Sequence, residues 1–383
     1  MEGQAKTPQS SSKFPNPETI DDYILDTPKN YIFLVLDCYS YISGENVTGE
    51  ILINIVKSLP NASLKFIARG IEAVHVFDKT LKTNILVEDR AEIFNVEEIC
   101  RNWDDELQPG HYVFPFNFKI PQYAPSTFYY SGEDDLGYYV KAEVFYHISA
   151  KIFTENKDIG IVHSRIVTIK NRDSLNKPMS LIEKSVVVPG CCFKNRGTTG
   201  LKLYLNNKDH CSVDGEVKFN LDPDNSWCTV PINHVTALVV LDVTVTTHKG
   251  DFKSRRILSK TERAAWINAY SNRVYEKDFD YTVDLKVSSE ELNPSSNSTP
   301  LINCQYYVEM QLYYDVIFNK NPAVIRMNFH VNPGINYRKE EAKLPIDWNP
   351  VEAPISSFIV ETKSILYIEK ERRDSCLYNQ QLI

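Results

Sequence analysis

Apolar and polar residues alternate over long stretches of this chain, and the alternation is clearest between Gln108 and His147. In Tyr112–Lys119 the aromatics Phe114, Phe116 and Phe118 take alternate positions, which in an extended chain puts all three on one face. Pro109-Gly110 opens that strand and Pro121 closes it, while Pro125-Ser126 and Gly132 punctuate an exposed crossing. Beyond the crossing, Tyr138, Val140, Ala142, Val144, Tyr146 and Ile148 line one face, and Lys141, Glu143 and His147 line the other. That is the pattern of a half-buried strand.

The same reading extends in both directions. Tyr31–Tyr39 is a nearly continuous apolar run suited to a strand covered on both faces. Ser43-Gly44-Glu45-Asn46 turns the chain, and Glu50–Val56 returns with Ile51, Ile53 and Ile55 on one face. Leu64–Val76 continues the alternation with Gly70 marking a bulge or a close backbone contact. Lys79 to Asn102 is less regular, and Glu92–Asn102 fits either a short helix or a strand. Ile161–Lys170 closes the first half.

The second half repeats this organisation. Glu183–Val188 is followed by alternating Leu201, Leu203 and Leu205, and Asp214-Gly215-Glu216-Val217 echoes Gly44-Glu45-x-Val47. Val235–Thr247 carries Val235, Ala237, Val239, Leu241, Val243 and Val245 on one parity. Cys304–Phe318 is apolar or aromatic at every even position: Cys304, Tyr306, Val308, Met310, Leu312, Tyr314, Val316 and Phe318. A last strand, Val324–Val331, precedes Pro333-Gly334. One segment breaks the pattern: Ser259-x-x-Glu262 has the form of a helix capping box with Ala264-Ala265-Trp266 and Tyr270 following, either a local helical insertion or a strand. The expected fold is all-β, two similar sandwiches in tandem. The division is a disordered leader at 1–28, an N-terminal domain at 29–172, a C-terminal domain at 180–332 and a tail at 333–383.

Composition narrows the function. A formal net charge of −8 argues against a nucleic-acid or bulk anionic-membrane binder, both of which call for a basic excess, and points to protein partners. The first 28 residues are polar and proline-punctuated, unlike a signal peptide, and no later stretch approaches the ~20 apolar residues of a membrane span. The eight cysteines are therefore read as reduced thiols. The Asn46-Val47-Thr48, Asn61-Ala62-Ser63 and Asn297-Ser298-Thr299 triplets are read as chance, not as glycosylation sites.

The ordered set of words in this chain has a family likeness. Gly110-His111, the Phe-x-Phe-x-Phe run, Ile120-Pro121, Ser126-x-Phe128, Gly132 and Tyr139-Val140-Lys141-Ala142 resemble the centre of an arrestin N-terminal domain, closest to the α-arrestins, the arrestin-domain-containing proteins. Leu64-Lys65-Phe66-x-Ala68-Arg69-Gly70 with Val74-x-Val76, and Tyr39 before Gly44-Glu45-x-Val47-x-Gly49, extend the likeness. Cys191-Cys192-Phe193, Gly215-Glu216 and the strand from Cys304 are similar to an α-arrestin C-terminal domain. The resemblance implies two arrestin-like, immunoglobulin-like β-sandwiches in a non-catalytic cytoplasmic adaptor. Such a protein would be peripheral at the plasma membrane or endosomes. It would bind membrane-protein cytoplasmic tails and link them to endocytic sorting or ubiquitylation machinery. The alternatives are a retromer-type endosomal coat subunit, which shares the fold, and a scaffold for soluble proteins.

Candidate chemistry is sparse. Cys191, Cys192, His210, Cys211 and Cys228 are near one another in sequence, but no pair has Cys-x-x-Cys spacing and adjacent cysteines on a strand face apart, so core thiols are favoured over a zinc site. No Gly-x-Ser-x-Gly, phosphate-cradling glycine loop or His-Glu-x-x-His occurs, so neither catalytic, cofactor-binding nor metal residues are assigned. The Pro-Pro-x-Tyr motifs by which α-arrestins engage ubiquitin ligases are also missing from the sequence, which puts that partner in doubt. Two tail motifs are candidates: Asp347-Trp348, and the apolar-acidic run containing Leu366, Ile368 and Glu369, which resembles a clathrin-type box. Ser356–Tyr367 regains strand character and suits addition to a sheet edge, in this chain or a partner. Lys57, Lys65, Arg69, Lys119 and Lys141 are candidates for a basic face in the N-terminal domain. Finally, Arg165 alternates with Val167 and Ile169. Its setting resembles that of the arrestin arginine that meets acidic groups between the domains, with Asp284, Glu290 and Glu291 as the corresponding partners.

Overall fold

The computed structural model describes residues 29–80, 84–154, 160–171, 181–189, 195–205, 211–212, 217–271, 280–283, 299–315, 322–332, 344 and 347–358. Among them every regular element is a strand. The first half comprises β1 (Tyr31–Leu36), β2 (Ser40–Ile42), β3 (Asn46–Ile55), β4 (Leu59–Pro60), β5 (Ala62–Phe77), β6 (Ile85–Asn102), β7 (Glu106–Leu107), β8 (Gly110–Lys119), β9 (Phe128–Glu133), β10 (Tyr139–Thr154) and β11 (Ile161–Lys170). The second comprises β12 (Leu181–Pro189), β13 (Asn195–Leu205), β14 (Cys211–Ser212), β15 (Val217–Cys228), β16 (Ile232–Thr247), β17 (Gly250–Ile267), β18 (Asp280–Val283), β19 (Ile302–Tyr314), β20 (Ala323–Phe329) and β21 (Val331–Asn332). The tail adds β22 (Val351–Glu352) and β23 (Ser356–Phe358).

In the first sandwich a β1-β3-β8 sheet faces a β2-β11-β10-β5-β6 sheet, with β9 added to β10. The two meet through the alternating aromatics: Phe114, Phe116 and Phe118 are buried, and the Phe116 ring lies 4.9 Å from that of Phe66 on β5. Val140, Ala142 and Val144 on β10 fill the same layer. The second sandwich sets β12-β13-β15-β18 against β17-β16-β19-β20. Phe219 of β15 and Tyr306 of β19 both pack on Phe329 of β20, at 6.1 and 5.9 Å, with Val308, Met310 and Leu312 buried alongside. Val316 and Phe318 lie outside the described residues.

Two ambiguous segments resolve as strands. Glu92–Asn102 belongs to β6, whose ladder with β5 slips at Val76/Phe77, Gly70/Ile71 and Leu64/Lys65, leaving Leu86, Ile93 and Cys100 as extra residues. Each bulge exchanges the two faces, and this erases the period-2 signal. Gly70 sits at one of these slips, and a Cβ there would lie 2.6 Å from Tyr146 Cε1 and 3.0 Å from Phe94 Cε1. Of the two readings of the Ser259-x-x-Glu262 segment, the strand holds as far as Ile267: Ser259 and Glu262 pair with Val239 and Thr236 in the β16–β17 ladder, and Glu262 bonds Lys260 two residues back on the same strand face. The long β16, buried without a break from Val235 to Leu241, extends its ladder along β17, and that outweighs local helical preference.

Candidate functional site

The open edge of β8 holds the tail. Val351 and Glu352 pair in parallel with Tyr112 and Val113, and Ser356, Ser357 and Phe358 pair with Phe116, Asn117 and Phe118. The break between the two pieces falls where Pro115 and Pro354 lie, neither of which has an N–H to give. Just before it, the Ala353 N–H donates to Val113 O over 2.9 Å. Phe358 turns into the sandwich and stacks on Phe66 at 4.3 Å and 7°. Trp348 covers the other side of the sheet, stacked on His111 at 4.6 Å and packed against the Phe33–Leu52–Val113 cluster, and Asn349 N–H donates to His111 Nδ1. Of the tail candidates, then, Trp348 is docked and Asp347 is exposed, whereas Leu366, Ile368 and Glu369 lie outside the described residues.

The opposite edge of that sheet, β1, is closed by side chains. The Leu34 N–H donates to His163 Nδ1 at 3.1 Å, and Arg165 Nε donates to Leu34 O at 3.4 Å. The Arg165 guanidinium also lies 5.0 Å from the Phe33 ring, itself 4.5 Å from the His163 ring. Burial, with the Arg165 charge adding to it, pushes the His163 pKa down to about 4, so the ring is a neutral acceptor at physiological pH. Arg165 does turn inward with Val167 and Ile169, but onto β1 of its own domain; Asp284, Glu290 and Glu291 lie outside the described residues.

Lys65, Arg69 and Lys141 share the outer face of the β11-β10-β5-β6 sheet, because β5 and β10 pair without a slip. Each already has a carboxylate: Lys65 and Arg69 on Glu97, the latter at 2.7 Å, and Lys141 on Glu143 at 3.0 Å. Hydrogen bonds from Lys65 and Arg69 hold the Glu97 carboxyl below its usual range. This face is therefore polar and charge-balanced. Lys119 is exposed at the end of β8 on the other sheet, and Lys57 is exposed in the connection between β3 and β4.

Sequence reasoning missed the junction between the sandwiches. The β16–β17 turn reaches β6, where His248 pairs with Asp89 at 2.7 Å and Lys249 Nζ donates to Leu86 O at 3.0 Å. Tyr130 and Ser254 hydroxyls meet at 2.5 Å, Asp135 N–H donates to Lys253 O at 2.8 Å, and Tyr138 and Phe252 rings meet edge-on at 5.6 Å. Glu72 of β5 is fully buried and accepts the Leu301 N–H at 3.2 Å. The signal for Glu72 was in the sequence: it is the lone acid on the parity shared by Leu64, Phe66, Ala68, Val74 and Val76.

Among the described residues no cluster of His, Cys, Asp and Glu has metal-binding geometry. Cys38, Cys100, Cys228 and Cys304 are free thiols, the latter two buried, while Cys191, Cys192 and His210 lie outside the described residues. No helix there is long and apolar enough to cross a membrane. The geometry is that of a tandem β-sandwich protein whose distinctive surface is a sheet edge occupied by an extended segment. Residues 36–172 match the family of the arrestin (or S-antigen) N-terminal domain. The chain is also similar to Arrestin domain-containing protein A of Dictyostelium discoideum, 22% identical over 309 residues, which cover 74% of this chain and 48% of that protein. It thus spans about half the length of the curated relative it matches. Residues 36–172 are thus similar to an arrestin N-terminal domain, and the chain is similar to an arrestin domain-containing protein.

Proposed function

We propose that this protein is a non-catalytic adaptor that binds the cytoplasmic tails of membrane proteins and links them to endocytic sorting or ubiquitylation machinery, at the plasma membrane or on endosomes. The β8 edge carries this reading. It accepts a short extended segment in parallel, with one aromatic (Phe358) inside the sandwich and another (Trp348) on the back of the sheet. In strand addition of this kind the backbone ladder supplies affinity and alternate side-chain pockets supply selectivity. An extended cytoplasmic tail offers the same chemistry, and the arrestin likeness supports an adaptor over an enzyme. The test is the full chain, fluorescently tagged, in living cells, with proximity labelling to name its neighbours. Puncta that travel with endosomes and labelled membrane proteins support the proposal; a uniformly diffuse signal under all conditions, with only soluble neighbours, overturns it.

A further inference from the structure

The ladders place each residue on the outer face of the β11-β10-β5-β6 sheet, and the end furthest from the second sandwich is unlike the rest. Three rows of directly opposed residues cross that end, one residue from each strand: Val162, Lys151, Lys65 and Ile99; Ser164, Ser149, Ile67 and Glu97; Ile166, His147, Arg69 and Asn95. Val162, Ile166 and Ile99 are exposed at 58, 66 and 53%, and Ile67 is half-buried among them. Single exposed aliphatics are ordinary, but several on neighbouring rows of one face form a patch.

Charge, balanced further along the face where Lys141 meets Glu143, is in positive excess here. Lys65, Arg69 and Lys151 stand in these rows with one carboxylate, Glu97, which Lys65 and Arg69 share. Among the described residues Lys151 has no ion-pair partner. The chemistry that fits this end is therefore an extended segment that is acidic and aliphatic at once.

The chain carries such a segment to this place. The leader expected at 1–28 lies outside the described residues. Within it, residues 18–26 mix Glu18, Asp21, Asp22 and Asp26 with Ile20, Tyr23, Ile24 and Leu25, and contain no cation. The point where the leader joins the sandwich is fixed: Asn30 Nδ2 donates to Lys57 O at 2.7 Å, and its Oδ1 accepts the Val56 and Lys57 N–H groups, each at 2.8 Å. From there β1 runs beside β11 in the same direction, the Leu34 N–H meeting His163 and the Leu34 O meeting Arg165, so the leader enters at the Ile161–Val162 end of β11. At no more than ~3.6 Å per residue, Asp26 stays within about 14 Å of Asn30 and Ile20 within about 36 Å. The three rows measure only about 14 by 13 Å, from the usual strand spacing and rise. We infer that residues 18–26 lie over these rows in the same chain, with their aliphatics on Val162, Ile67 and Ile166 and their acids towards Lys151, Lys65 and Arg69.

Limited chymotrypsin digestion of the full chain with mass mapping tests this, because Tyr23 and Leu25 are cleavage sites within the segment. Two variants, Lys151→Glu and the pair Val162→Thr with Ile166→Thr, change only the face, so the leader's own susceptibility is the same in all three proteins. The substituted side chains are exposed, threonine keeps the β-branch, and unchanged thermal unfolding of each variant confirms that the fold is intact. Cleavage at Tyr23 and Leu25 should be several-fold faster in each variant than in wild type, because it follows the population of the undocked leader. Zero-length carbodiimide coupling of mixed light and heavy wild-type chains should join a leader carboxylate to Lys151 or Lys65 within one chain. Equal cleavage in wild type and variants, coupling of the leader to this face only between light and heavy chains, or no coupling to it would each overturn the proposal. The second of these outcomes would assign the face to the leader of another copy.

Discussion

The Leu301 N–H and the Glu72 carboxylate lie 229 positions apart in sequence and 3.2 Å apart in space, across the junction of the two sandwiches. Glu72 has no exposure to solvent, and its charge adds to burial in raising the pKa of the Tyr146 phenol far above its ordinary value. A carboxylate buried at that depth is costly unless its oxygens are bonded. Glu72→Ala is expected to cost about 1–3 kcal/mol, the penalty of leaving a buried donor unmet. Glu72→Gln keeps the acceptor and should cost less. Urea unfolding of the two variants checks the order, and equal losses would contradict it.

Phe358 anchors the tail to β8 through its stack on Phe66. Replacing a buried phenylalanine by alanine costs at most about 3–5 kcal/mol, and less where a short strand lifts off before the core is disturbed. Phe358→Ala should therefore leave the first sandwich folded while the tail becomes a protease target. Limited proteolysis with mass mapping reads this directly; a tail as resistant as wild type would show that the stack does not hold it.

His163 makes stability depend on pH. Its pKa is about 4 in the folded chain against 6.5 for an ordinary histidine. Above 6.5 both states are neutral. As pH falls towards about 4 the unfolded chain binds a proton that the folded one refuses, so this residue's contribution is lost through that window and fully lost below it. His147, lowered by burial and then by Arg69, acts in the same direction. His163→Gln keeps an acceptor for Leu34 and does not titrate. Between neutral pH and about pH 5 its urea midpoint should fall less than that of wild type, and parallel falls would remove His163 from the account.

Gly70→Ala tests the closeness of β5 to β6 and β10. The added methyl would sit 2.6 Å from Tyr146 Cε1, and the Tyr146 hydroxyl is itself tied to Pro125 O at 2.6 Å, so the ring has little room to yield. Overpacking of this kind costs about 1–3 kcal/mol, despite alanine's lower entropy cost in a strand. A melting temperature at or above wild type would contradict it.

The physical reach of each signal explains what could be read from sequence. Side-chain alternation is local, so the inward faces of β8, β10, β16 and β19 follow from residues two apart, and with them the two sandwiches. Where a bulge adds a residue, as at Ile93 in β6, the period changes and the local signal disappears although the strand persists. The inward turn of Arg165 was likewise legible from Val167 and Ile169, but what it meets there was not: the Leu34 carbonyl belongs to another sheet.

Amino-acid order alone determined the fold class, the core faces and the lone acid on an apolar parity. Tertiary structure decided what those groups face. Glu72 meets Leu301, His163 and Arg165 close the β1 edge, and the tail fills the β8 edge, because each contact joins segments that only the packing of sheets brings together. Pairing between strands is carried by backbone groups that every residue but proline possesses, so the sequence marks which segments extend, and the assembled edges determine where they go.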